Sequence, residues 1–270
     1  MKGSVAVVIL AVAISCAFVA WRVEASRNQH VNQYAILGDP SMSYTAECES
    51  IAGAAAQVFH RSSLSAQSTL TVLVLGDRTS ADEPREMANY QIPTSRKAIE
   101  GGTTTARRQQ HVLNDILSRC KTTPQTSISP IFLGVKQALA DLRGRGCSLG
   151  SQCELWVASD LEENVEPGIK SRLANPRDTK YHLPAVLDNG GIAVIFCGLA
   201  STSGRIPGRE GRGEVSLPIR NPGHDDQIRS IWTSLFKDHQ ALRFEPYCPS
   251  SPKPADLTRR RPILASIAST

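Results

Sequence analysis

Apolar and polar positions follow two rhythms along this chain. The run "STLTVLVLGD", closing on Asp77, is short, continuously apolar and rich in β-branched residues, which predicts a central strand covered on both faces. "CELWVASD", ending at Asp160, and "GGIAVIFCGLA" predict two more such strands. Other segments carry the helical period. "TAECESIAGAAAQVFHRS" sets Ile51, Ala54, Ala55, Val58 and Phe59 on one face, and "RRQQHVLNDILSRC" does the same with Val112, Leu113, Ile116, Leu117 and Cys120. Ser129 followed by Pro130 is a helix start, opening "PIFLGVKQALADLRGRG", whose glycines mark its end. In "DDQIRSIWTSLFKDH", Ile228, Ile231, Trp232, Leu235 and Phe236 form an apolar stripe, with Asp225 and Asp226 at the positive end of the helix. Residues 82–106 show little periodicity and are expected to hold at most one short strand, while "ALRFEPY" predicts a last edge strand. Apolar strands alternating with amphipathic helices predict an α/β fold: a doubly wound, mainly parallel central sheet with helices on both faces.

The flanks differ from this pattern. Within residues 1–25, "GSVAVVILAVAISCAFVAW" is uncharged up to Arg22, as in a signal peptide or a transmembrane anchor. Val23-Glu24-Ala25 would suit cleavage before Ser26, whereas the length of the run favours an anchor. Residues 26–43 are polar, turn at Gly38-Asp39-Pro40, and are expected to be a linker. The folded domain is expected over 44–248. Residues 249–270, with four prolines and Arg259-Arg260-Arg261, are expected to be a disordered basic tail that could meet a partner or anionic lipid. No internal repeat is present.

Composition narrows the class. A chain of 270 residues with 41% hydrophobic and 20% charged residues can bury a core. The net charge of +5 is modest, and no basic stripe interleaves with aromatics, so nucleic-acid binding is not expected. Beyond Cys16, the six cysteines at 48, 120, 147, 153, 197 and 248 form no CxxC and no zinc-type spacing. Their even number is compatible with three disulfides, and Cys147 and Cys153, flanking a short Gly/Ser loop, are the easiest pair to bridge. An exported domain facing an oxidising, extracytoplasmic compartment is expected, the periplasm if the source is bacterial.

Two predicted strands end in acids, Asp77 and Asp160, and ligands of open α/β sheets bind outside the C-terminal strand ends. In element order the chain resembles the von Willebrand factor A domain over roughly residues 46–247. In that family an Asp-x-Ser-x-Ser loop after the first strand, a Thr from a second loop and an Asp from a third form a metal-ion-dependent adhesion site. The resemblance implies Mg²⁺ or Mn²⁺ held by hard oxygen ligands, with a carboxylate of an unidentified protein partner completing the shell. Carried onto "LVLGDRTSA", Asp77 takes the place of the first Asp and Thr79 that of the first Ser; Ala81, at the second Ser position, cannot ligate. Ser129 or Thr126 would supply the second loop and Asp160 the third, with Glu162 and Glu163 close behind. "GGTTT" at 101–105 looks like a second loop but follows Asp77 too closely.

Catalytic motifs are sparse. No Gly-x-Ser-x-Gly elbow, phosphate loop or HExxH occurs, and no small-molecule cofactor is expected. His224-Asp225-Asp226 is the most suggestive histidine cluster and reads as a polar loop before a helix. Asp77 as the nucleophile of a metal-dependent phosphoester hydrolase lacks the second acid, because Thr79 stands two residues later. The expectation is therefore a non-enzymatic binding module for a protein partner, placed near a membrane by its N-terminal helix. The alternative is a structural subunit of an envelope assembly such as a secretion or conjugation apparatus.

Overall fold

A computed structural model describes residues 32–41, 47–61, 68–76, 84–92, 102–124, 128–147, 152–178, 180–199, 222–245 and 248. The N-terminal apolar run, Asp77, Thr79, Thr126 and the C-terminal tail lie outside these residues. The elements in chain order are β1 (Gln33–Gly38), α1 (Glu47–Arg61), β2 (Thr69–Val74), β3 (Arg85–Gln91), α2 (Gly102–Lys121), α3 (Ile131–Gly144), β4 (Cys153–Ala158), α4 (Pro167–Ala174), β5 (Ala193–Cys197), α5 (Pro222–Ser234), a 3₁₀ turn at His239–Ala241, and β6 (Leu242–Glu245).

The six-stranded sheet runs β3-β2-β1-β4-β5-β6. Among the described residues only β3 is antiparallel to its neighbour, and the other pairings are parallel. The doubly wound α/β architecture expected from the alternation of strands and helices is thus present. Along β1 the side chains alternate: Tyr34 and Ile36 enter the core beneath α1 and α2, whereas Ala35 and Leu37 enter the core beneath α3 and α5. A strand with helices on both faces needs apolar residues on both faces, which is why its pattern is continuous rather than alternating. Burying a side chain such as Ile36 contributes about 1.5–3 kcal/mol.

One expectation requires correction. The stretch taken as a linker, 26–43, contains β1, which is buried throughout and sits between β2 and β4 at the centre of the sheet. The strand "QYAILG" is only six residues long, and its Gly38-Asp39-Pro40 ending mimics a surface turn. The domain therefore begins before residue 44. Within 82–106, the one short strand expected is the antiparallel edge β3, and α2 already starts inside "GGTTT".

Two further features set distances within the layers. Gly134 of α3 lies against β1 and β2 so closely that a Cβ there would sit 2.3 Å from a methyl of Leu75 and 3.1 Å from one of Leu37. Three disulfides join described residues: Cys48–Cys120 ties α1 to α2, Cys147–Cys153 closes the loop before β4, and Cys197–Cys248 ties the end of β5 to the segment after β6. Such bonds fit an oxidising, extracytoplasmic environment. Among the described residues no helix is long and apolar enough to cross a membrane.

Candidate functional site

Chain order reverses between β1 and β4. From β1 the chain winds outward through β2 and β3, then returns to the other side of β1 as β4. The loops leaving the two strands part in opposite directions and open a crevice at their C-terminal ends, the ligand position in open α/β sheets. Gly38 pairs with Ala158, so the two strands end level, and the next residues are Asp39 on one side and Ser159-Asp160 on the other.

Asp39 is the centre of the cluster. Its backbone N–H donates to the Ala158 carbonyl at 3.1 Å, extending the ladder by one bond and fixing the side chain in the crevice. Its carboxylate receives three bonds. The Ser41 N–H and the Ser129 hydroxyl donate to Oδ1 at 3.2 and 3.1 Å, and the Ser159 hydroxyl donates to Oδ2 at 2.8 Å. Asp39 and Asp160 are each 1% exposed. Burial pushes the Asp39 carboxyl up to about 6, and the nearby negative charge of Asp160 adds to that rise, while the serine hydrogen bonds oppose it.

Two loops form the walls. In the β4–α4 loop, Leu161 N–H donates to the Ser159 hydroxyl at 2.9 Å and Glu162 N–H donates to Asp160 Oδ1 at 3.2 Å. Leu161 itself has φ of 61° and is fully buried, and its carbonyl accepts from the Trp232 indole at 3.2 Å. A left-handed buried leucine costs on the order of 1–3 kcal/mol, so tertiary contacts impose this turn. The turn before α3 is clamped onto the same loop. Asn164 Oδ1 accepts from Ser129 N–H at 2.8 Å, and Glu163 accepts from the N–H groups of Phe132, Val165 and Glu166 at 2.7, 2.7 and 3.1 Å. Burial raises the Glu163 carboxyl, with these three amides pulling the other way. His224, at the start of α5, meets Glu162 at 2.8 Å and anchors the far side of the loop.

Of the residues expected to bind metal, Ser129 and Asp160 converge on this crevice. Asp77, Thr79 and Thr126 lie outside the described residues; β2, which precedes Asp77, is the neighbour of the central strand and is not the first strand. The first-strand acid is Asp39, and its loop reads Asp39-Pro40-Ser41-Met42-Ser43. That is the full Asp-x-Ser-x-Ser spacing, which the "DRTSA" stretch matches only in part. Asp39 and Ser41 were missed because the strand before them is short, and Ser159 was passed over beside Asp160 at the end of a strand that was expected. The motif itself was a readable signal.

The donor set is the carboxylates of Asp39 and Asp160 and the hydroxyls of Ser129 and Ser159, with Ser41 buried beside them, all hard oxygens of the kind that Mg²⁺ and Mn²⁺ take. A hydroxyl that donates its proton to Asp39 keeps two lone pairs for a cation. A cation would also relieve the repulsion between two buried acids. The residues therefore fit a divalent ion, although no group of three or more His, Cys, Asp or Glu side chains suited to a metal occurs among the described residues. Hydroxyl-rich sites lie outside that pattern of ligands.

The mainly parallel, doubly wound sheet with helices on both faces is the architecture expected from the von Willebrand A resemblance. No protein-family model matches the chain, and a search of curated proteins finds no similar sequence. Solved structures with a similar trace include the conserved hypothetical protein BatB from Bacteroides thetaiotaomicron, at 11% identity and TM-score 0.38, covering 80% of this chain and 91% of that one. An aerotolerance-related membrane protein from Bacteroides fragilis is 12% identical at TM-score 0.39, covering 84% and 96%. The manganese-loaded TRAP protein of Plasmodium vivax is 13% identical at TM-score 0.37, covering 82% and 70%. The functional reading below rests on this chain's own residues.

Proposed function

We propose that this chain is an extracytoplasmic, non-catalytic binding module of von Willebrand A-like type, tethered or exported by its N-terminal apolar segment. Its recognition site is the crevice around Asp39. Asp39, Ser41, Ser129 and Asp160 would hold Mg²⁺ or Mn²⁺, with Ser43 added from the sequence motif, and a partner's carboxylate would complete the shell. The observation that carries this reading is the convergence on one buried carboxylate of the Ser129 and Ser159 hydroxyls, from two other loops, and of the Ser41 amide from its own loop, with a second buried acid close enough to raise its proton affinity.

The test is thermal unfolding of the full chain in detergent micelles with Mg²⁺, with Mn²⁺ and with chelator, beside Asp39→Ala/Asp160→Ala. Ligand at about 100-fold its dissociation constant stabilises the native state by roughly 2.7 kcal/mol. An upward shift that the double variant loses supports the reading. Equal melting in metal and chelator sinks the metal dependence.

A further inference from the structure

We propose that the cleft beside the Ser129–Pro130 turn takes an acidic, apolar peptide segment of a partner protein. This proposal deepens the binding-module reading and rests on it. The cleft has a volume of about 670 Å³, within the range of ligand sites, and its lining includes Pro130, Asn164, Val165, Lys170 and Tyr181.

Among the described residues the exposed large hydrophobics are Val165 at 42%, Tyr181 at 43% and Val186 at 58%. Val165 and Tyr181 line this cleft; Val186 lines a second cleft of about 580 Å³, and the two share Pro130, Val165 and Pro167. Exposed apolar surface is thus gathered on one face, as at protein-interaction sites. Lys170 is the charged side chain among the described lining residues of the first cleft, and it forms no ion pair with another described residue. In the second cleft Lys136 is balanced by the half-buried Glu166, while Glu163 serves three backbone amides, so Lys170 of the first cleft is the cation that stands without an acid among the described lining residues of its cleft. An apolar surface with a cation at its rim is complementary to apolar side chains flanked by a carboxylate.

The cleft is continuous with the Asp39 crevice. Pro130 directly follows Ser129, and Asn164 holds the Ser129 amide, so one wall serves both. A peptide lying along Val165 and Tyr181 would deliver an acidic residue toward Asp39. The cleft is also preformed: a Cβ on Gly168 would stand 2.0 Å from the His182 carbonyl oxygen, so α4 and the Tyr181 segment are held in direct contact. Preformed surfaces lose less entropy on binding.

The experiment selects a random peptide library, displayed on phage, against the full chain in detergent micelles, in Mg²⁺ and in chelator. Enriched peptides are then measured by fluorescence anisotropy against wild type, Lys170→Glu, Val165→Ser, Tyr181→Ser and Asp39→Ala. Enrichment of sequences pairing Glu or Asp with apolar residues is expected. Lys170→Glu should weaken them at least about tenfold with an unchanged melting temperature. Selection of neutral or basic sequences, of none at all, or full affinity in Lys170→Glu overturns the proposal. So does self-association of the chain that Val165→Ser abolishes, since the occupant would then be a second copy. Loss of binding in Asp39→Ala and chelator, with Lys170→Glu unaffected, retains the metal site and removes the cleft. The opposite pattern retains the cleft and removes the metal dependence.

Discussion

The Ser129 hydroxyl donates to Asp39 Oδ1 at 3.1 Å across 90 positions of sequence, and the Ser129 amide is itself held by Asn164 Oδ1 at 2.8 Å. The loops after β1 and β4 and the turn before α3 are therefore one hydrogen-bonded unit. Disturbing any of them should be felt at Asp39.

Asn164→Ala removes the acceptor of the Ser129 amide without touching the carboxylates. Leaving a part-buried N–H without that partner costs about 1–3 kcal/mol. Urea denaturation should show that loss, and a Mg²⁺ titration should show weaker stabilisation than in wild type. Asn164→Asp, which keeps an acceptor oxygen, should restore most of the stability in chelator.

Asp39 sets a pH dependence of opposite sign to that of most carboxylates. Its folded proton affinity, near pH 6, exceeds the ordinary 3.8, so the folded chain holds the proton more tightly than the unfolded one. In chelator its contribution is complete below pH 4 and is lost as pH rises to about 6, a change on the order of 2–3 kcal/mol. Glu163 shifts in the same direction. Asp39→Asn should flatten the difference between pH 4 and 6 and raise stability at neutral pH in chelator, while abolishing any gain from Mg²⁺. Denaturant midpoints across that window are the readout; a variant parallel to wild type would show that Asp39 ionises freely.

Gly168→Ala places a methyl group against the backbone oxygen of His182, which cannot rotate away. Overpacking of this kind costs about 1–3 kcal/mol and should part α4 from the Tyr181 segment. Calorimetry should record the lower melting temperature, and peptide binding in the cleft should fall with it.

The disulfides should rank by the loop each closes. Cys48–Cys120 spans 72 positions and Cys147–Cys153 spans six, so loop entropy assigns about 4 kcal/mol to the first and about 2 kcal/mol to the second. Paired Cys→Ser variants of each bond, compared by chemical denaturation, check the order.

Much of the architecture was legible in the pattern. Leu70, Val72 and Ile195 face one core and Leu73, Val194 and Phe196 the other, so β2 and β5 had to be apolar on both sides. Ile228 and Trp232 of the expected stripe form the inward face of α5, but the helix stops at Ser234, and Leu235 and Phe236 enter the core from the turn beyond it, where Phe236 bridges to Leu187. β1 escaped because its six residues end in Gly-Asp-Pro, and local chemistry cannot tell a surface turn from the rim of a buried strand. Asp160 was legible as a loop acid and Ser129 as the approach to a helix, although Pro130 is the N-cap there and the Ser129 hydroxyl turns to Asp39 instead of capping. Asp39 was hidden by the same error that hid its strand.

The sequence by itself determined the two-faced strands, the helical stripes, the cysteine count and the Asp-Pro-Ser-Met-Ser spacing, because each depends on residue type and local period. The tertiary structure alone decided that β1 lies at the centre and that Asp39 meets Ser129, Ser159 and Asp160. Those contacts follow from where the chain reverses its winding between β1 and β4, and a reversal of winding leaves no local trace. It is set by the joint packing of two helical layers on one sheet, and that packing carries distant hydroxyls to a single carboxylate.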